Sequence, residues 1–152
     1  MNTTSLKRLL DTCFTAKRLV EKLPELPSAM KPRHIHVLDA VWEIQDRQGM
    51  CRVSDVAVRL GITMPSITKL IQELEKLELL EKKADKQDRR VILLELTDAG
   101  KQCVQRHVID FHGEWAEALT DISDEQAEEA IRVIERLRLT MPRHEKQAQR
   151  EE

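Results

Sequence analysis

Two short runs, LLEKKA at 79–84 and VILLEL at 91–96, stand on either side of the polar tip DKQDRR. Runs of that length parted by a charged tip read as a β-hairpin. Directly before them Ile67, Leu70, Ile71, Leu74 and Leu77 recur at helical spacing. A helix that passes straight into a hairpin has few ways to bury both apolar faces, so this junction limits the fold more than any other feature. The alternation in VILLEL is imperfect, as suits a small, half-covered antiparallel sheet.

Upstream, SDVAVRL at 54–60 ends on Gly61, four residues short of Pro65. Ser54 is the expected N-cap of one short helix and Thr63 of the next, with Pro65 in its first turn. Two short helices joined by a tight turn holding a glycine form a helix-turn-helix. CRV at 51–53 is positioned to add a third strand to the hairpin. The fold class expected is mainly α with a small antiparallel β-wing, a winged helix-turn-helix.

Further helices flank this unit. Leu6, Leu9, Leu10, Cys13, Ala16, Val20 and Leu23 share helical spacing over residues 5–23, ended by Pro24 and Pro27. A second helix starts at Pro32 and carries Ile35, Leu38, Val41 and Trp42 towards residue 45, before a turn at Gly49. Thr97 caps a long helix with a stripe of Val104, Val108, Phe111, Trp115, Ala118 and Ile122. Ser123 with Gln126 forms a capping box for a last helix bearing Ala127, Ala130, Ile131, Ile134, Leu137 and Met141, stopped by Pro142. The boundaries expected are 1–30 for the N-terminal helix, 31–97 for the winged helix, 98–142 for the C-terminal helices and 143–152 for a polar, frayed tail.

Charged residues make up 34% of the chain, yet the net charge is only −2, so no overall positive field favours nucleic acid. The positive charge is local: Lys82, Lys83, Lys86, Arg89 and Arg90 face only Asp85 and Asp88. Such a tip buries nothing and repels itself, whereas a guanidinium suits the negative potential of a narrow minor groove. On the preceding helix, the side opposite the apolar stripe holds Pro65, Lys69, Gln72 and Lys76, flanked by Ser66 and Thr68. Short hydroxyls, an amide and an amine reach base edges and phosphates. Glu73, Glu75 and Glu78 gather in the second half, which should therefore tilt away from a duplex. Asp88 is suited to hold one guanidinium in a fixed pose. Without DNA the same residues are a solvated helix face and an ion-pair cluster worth about 1 kcal/mol or less.

ITMPSITKLIQELEKLELLEKK followed by DKQDRRVILLELTDAG resembles the MarR family of bacterial transcriptional regulators. The resemblance rests on the Asp-x-x-Asp-Arg-Arg tip, the strand after it and the Leu-Thr-x-x-Gly entry to the next helix. It implies a homodimer with N- and C-terminal dimerisation helices, binding double-stranded DNA at a near-palindromic operator. By that resemblance Ser66, Thr68, Lys69 and Gln72 face the major groove, while Arg89 and Arg90 enter the minor groove with Asp88 steadying one of them. The function implied is that of a repressor released by a small-molecule or other effector. Phe14, Leu19, Val133 and Leu139 lie off the main apolar stripes, which also favours a second chain. Two departures stand out: Glu78 where many members have glycine, and Gln87 where a basic residue is common.

An effector pocket between the second and the long helix is expected from His36, Trp42, Phe111 and Trp115, with Cys13 as a candidate oxidant sensor. Peroxide-sensing members hold their thiolate with tyrosines, and this chain has none. His107 and His112 are five apart, about 140° around a helix, so they share no face for zinc. No metal ligands and no cofactor are assigned. Cys13, Cys51 and Cys103 are odd in number and far apart, which excludes a disulfide framework. There is no nucleophile with a nearby base and no phosphate-binding glycine loop; Asp110 and Glu114 are an ordinary acidic pair on one helix face. An enzyme is therefore not expected. No apolar stretch approaches the ~18 residues of a membrane span, no signal peptide is visible, and a cytoplasmic location is expected. The alternatives are a thiol-based or zinc-responsive sensor of the same fold, or a winged helix that contacts protein.

Overall fold

Helix α2 (Pro32–Gln48) is the element on which the winged helix packs. The computed structural model describes residues 1–21 and 25–140; Leu23, Pro24, Met141, Pro142 and the 143–152 tail lie outside them. Two compact units are distinguished, Met1–Glu114 and a second beginning at Trp115. α2 buries Ile35, Val37, Leu38, Ala40, Val41 and Ile44, so its apolar face is wide enough for several partners. Around it lie Val56 and Ala57 of α3 (Val53–Leu60), then Ile67, Ile71 and Leu74 of α4 (Met64–Lys76). Leu80, Leu94, Leu96, Val104 and Val108 complete the core.

Gly61 closes α3 in the left-handed conformation, φ 64°, and makes the tight turn into α4. α3 starts earlier than Ser54 would have it. Its N-cap is Arg52, whose backbone N–H is taken at 2.9 Å by the carboxylate of Asp55. Asp55 stands at the third helical position, where a carboxylate reaches back to an otherwise unpaired donor, and it displaces Ser54 from that role. Thr63 does occupy the N-cap of α4, but its hydroxyl lies 2.9 Å from Ser66 Oγ rather than on a backbone amide.

Strands β1 (Leu80–Ala84) and β2 (Ile92–Leu96) pair antiparallel from Leu80↔Leu96 to Ala84↔Ile92. Only Leu80, Leu94 and Leu96 are buried, so the hairpin is anchored at one end and its tip stands out. CRV contributes less than a strand: Arg52 bridges Leu93, and Leu94 N–H donates to Cys51 O at 2.8 Å. Gln45 Nε2 donates to Leu94 O at 3.1 Å, which satisfies that edge further.

The passage from α4 to β1 runs through Glu78, at φ +57° the one non-glycine residue with positive φ among those described. Leu79 N–H bonds back to Leu74 O and Glu78 N–H to Glu75 O, which is the Schellman ending of a helix. A side chain in that conformation costs about 1–2 kcal/mol. Glu78→Gly is therefore expected to stabilise the protein by about 1 kcal/mol, read as a higher denaturation midpoint at unchanged slope; an unchanged or lower midpoint would show that the turn is unstrained.

Thr97 caps α5 (Asp98–Val104): its Oγ1 accepts from Gly100 N–H at 3.0 Å and donates to Glu78 O at 2.7 Å. The long helix expected from Thr97 forms without a gap to Ala118, but it is not α-helical throughout. α5 passes into a π-helical segment (Gln105–Asp110) and then α6 (Phe111–Ala118). Ile122 lies beyond its end, because Ser123 and Gln126 cap the next helix reciprocally and the chain must turn before them. That helix is α7 (Asp124–Thr140). Neither α7 nor α1 (Thr3–Val20) buries a residue: Phe14 is 68% exposed and Leu139 67%.

Candidate nucleic-acid interface

α4 is amphipathic in the strict sense: Ile67, Ile71 and Leu74 are buried, while Pro65, Ser66, Thr68, Lys69, Gln72 and Lys76 are exposed. Thr68 Oγ1 donates to Met64 O at 2.8 Å, so its hydroxyl keeps accepting capacity towards solvent. Lys69 has no carboxylate partner among the described residues.

The tip of the wing is shaped by its two aspartates. Asp85 Oδ1 accepts from Gln87 N–H at 2.7 Å, and Asp88 Oδ1 from Arg90 N–H at 3.0 Å. Each carboxylate thus folds the backbone two residues on, an Asx-turn. Asp85 N–H reaches Val91 O at 3.0 Å and Val91 N–H reaches Asp88 O at 2.9 Å, closing the loop. Asp88 therefore holds Arg90 by its backbone, not by its guanidinium as the sequence suggested. Among the described residues neither Arg89 nor Arg90 has a carboxylate partner, and both are exposed. If the bond to backbone is what Asp88 provides, Asp88→Asn keeps it, whereas Asp88→Ala speeds exchange of the Arg90 amide about fivefold, the ~1 kcal/mol of one hydrogen bond. Hydrogen exchange by NMR measures both, and equal exchange in the two variants would contradict this role.

Helix and wing are tied together. Lys82 Nζ meets Glu75 Oε2 at 2.6 Å, and Lys83 pairs with Glu95 across the hairpin. Thr68, Met64, Arg52, Lys82 and Arg90 line one groove, so the exposed flank of α4 and the wing border a common space. The sequence points to Lys82 only as one of the wing's charges and does not point to Arg52; their places depend on the pair with Glu75 and the bridge to Leu93, which no local pattern reveals.

A second tie was also missed. Buried His34 accepts from Lys31 N–H at Nδ1 (3.2 Å), so its Nε2–H donates to Glu73 Oε2 at 2.8 Å. That hydrogen bond, with Lys31 Nζ 3.5 Å away, holds the Glu73 carboxyl below the usual carboxylate range. Glu73, read from sequence as a repelling charge, thus fastens α4 to α2.

Of the residues expected to line an effector pocket, His36 and Phe111 border separate grooves. His36 is exposed and borders a groove with Ser66 and Lys69 of α4, whereas Phe111 borders a different groove with Gln105 and Glu114. Trp42 is half-buried against the core, Cys13 is half-buried on α1, and Trp115 belongs to the second unit. Burial pushes the Cys51 thiol up to about 12, aided by Asp55, and also raises that of Cys103. Both suit inert core thiols. Among the described residues no three of His, Cys, Asp and Glu gather as a metal site, and no helix is long and apolar enough to cross a membrane.

Residues 30–91 match the model of the MarR family. YwaE, an uncharacterized HTH-type transcriptional regulator of Bacillus subtilis strain 168, is 30% identical over 79 residues, 51% of this chain and 46% of that protein. The chain thus matches about half the length of this relative. FabT of Streptococcus pneumoniae, solved in complex with DNA, superposes with a TM-score of 0.70 at 21% identity, over 91% of this chain and 96% of that one. MepR of S. aureus, also solved with DNA, gives 0.62 at 19% identity, over 93% and 99%. At these identities the two structures establish the winged-helix fold.

Proposed function

On the premise that this chain belongs to the MarR family of winged-helix transcriptional regulators through residues 30–91, we propose that it acts as a homodimeric, sequence-specific repressor. Ser66, Thr68, Lys69 and Gln72 enter the major groove, and Arg89 and Arg90 the flanking minor groove. The observation that carries this reading is the exposed wing tip, whose two guanidiniums lack carboxylate partners among the described residues while its aspartates are spent on the backbone. A surface cluster serving only the fold would pair those charges. The proposed division of labour is 1–30 and 98–142 for dimerisation and 31–97 for DNA. The exposed apolar residues of α1 and of α7, each without a buried position, favour a second chain as their cover. Release by a small-molecule effector is the mode proposed.

Selection from a random duplex pool tests the reading. A two-fold dimer recovers an inverted repeat with half-site centres about one helical turn, ~34 Å, apart, and sedimentation gives two chains per particle. Recovery of no duplex, or of an unrepeated site bound by one chain, would refute it. In the first case a protein-binding winged helix becomes the better reading.

A further inference from the structure

The major-groove and wing contacts proposed for this chain use the outward side of α4 and the flank nearer the wing. The other flank is also basic. At 3.6 residues per turn, Met64 and Thr68 fall on one side of α4, and Ser66, Lys69 and Glu73 on the opposite side. Met64 and Thr68 line the groove shared with Arg52, Lys82 and Arg90. Ser66, Lys69 and Glu73 line a second groove whose far wall is the start of α2, with Lys31, Arg33 and His36.

The charges of this second groove are not balanced within the fold. Among the described residues that line it Glu73 is the one carboxylate, and it is engaged by His34 and Lys31. Arg33 and Lys69 have no carboxylate partner among the described residues. His36 offers a ring N–H in either tautomer. Nor does Arg33 help its own helix. The first turn of α2 holds no acidic residue, and a cation there opposes the helix dipole.

We infer that this groove seats the sugar-phosphate backbone of the DNA strand opposite the one met by the wing, with Arg33 as its principal phosphate contact. The inference rests on the DNA-binding reading above. A helix lying in a major groove about 12 Å wide has one backbone on each side. A basic groove on each flank of α4 matches that arrangement. Lys69 then stands between base edges and this phosphate, and Arg33 fixes the depth and register of the helix without reading sequence.

The test is the salt dependence of duplex affinity for Arg33→Ala and Arg33→Lys, by fluorescence anisotropy between ~50 and ~200 mM salt. Each phosphate-binding cation removed lowers the slope of log K against log salt by about 0.9; the dimer carries Arg33 twice, so Arg33→Ala lowers it by about 1.8, which corresponds to roughly sixtyfold weaker affinity at 0.1 M. The weakening is expected to be equal on the selected site and on a scrambled duplex, and Arg33→Lys restores most of the slope. Arg33 is exposed and unfavourable to its helix, so Arg33→Ala melts no lower than wild type, which separates a weakened grip on DNA from a damaged fold. Wild-type protein that binds duplex, with an unchanged slope for Arg33→Ala, overturns this inference alone. A weakening confined to the selected site, or no recovery with lysine, also overturns it. Wild-type protein that binds no duplex overturns the regulator reading and this inference together.

Discussion

Gly100→Ala is expected to cost at least about 3 kcal/mol, the upper end of what overpacking does to a filled interior. A Cβ at this position would sit 1.9 Å from Leu79 O and 3.0 Å from Leu79 C, both backbone atoms. Neither can swing aside as a side-chain tip could. Leu79 belongs to the turn that ends α4, and Thr97 donates to Glu78 O in the same turn. Relief would have to separate α5 from the α4–β1 junction, opening the core around Leu74, Leu80 and Val104. Against a total stability of about 5–15 kcal/mol, this destabilisation removes roughly a fifth to a half or more of the margin that keeps the chain folded. Urea denaturation followed by circular dichroism measures it, and a midpoint within experimental error of wild type would show that α5 does not sit as close as described.

Arg89→Glu with Arg90→Glu is expected to abolish duplex binding while leaving the fold unchanged. Each phosphate-binding cation removed weakens binding by about 0.9 of a decade at 0.1 M salt, so the four removed from a dimer together cost on the order of several thousandfold. The four added carboxylates then repel the DNA backbone and weaken binding further. Both side chains are exposed and have no carboxylate partner among the described residues, so circular dichroism and sedimentation should match wild type. Duplex binding that survives the reversal would remove the wing from the interface.

Much of this architecture is legible in the sequence, for identifiable reasons. The apolar period of α4 and the two short runs after it predict a helix and a hairpin within a residue or two of where they lie, because burial repeats at the period of the backbone. Thr97 and the Ser123–Gln126 pair are visible because capping is local chemistry. The misses arise where non-local partners decide. Asp55 overrides Ser54 as the group that starts α3. His34 reaches across 39 positions to Glu73 and turns an apparent repulsion into a fastening. The reason for glycine at position 100 is the carbonyl of Leu79, which the sequence does not place beside it. The pocket expected from His36, Trp42, Phe111 and Trp115 groups residues by type and stripe, and side-chain direction assigns His36 and Phe111 to separate grooves.

At the apex of the hairpin, form and charge are supplied by different atoms. The carboxylates of Asp85 and Asp88 hold amide hydrogens at contact range, where dissolved ions screen poorly, whereas the guanidiniums project into the ionic atmosphere. Brine strong enough to weaken the hold on a duplex should therefore leave the loop with its contour intact, and dilution should restore a gripping surface that needs no refolding.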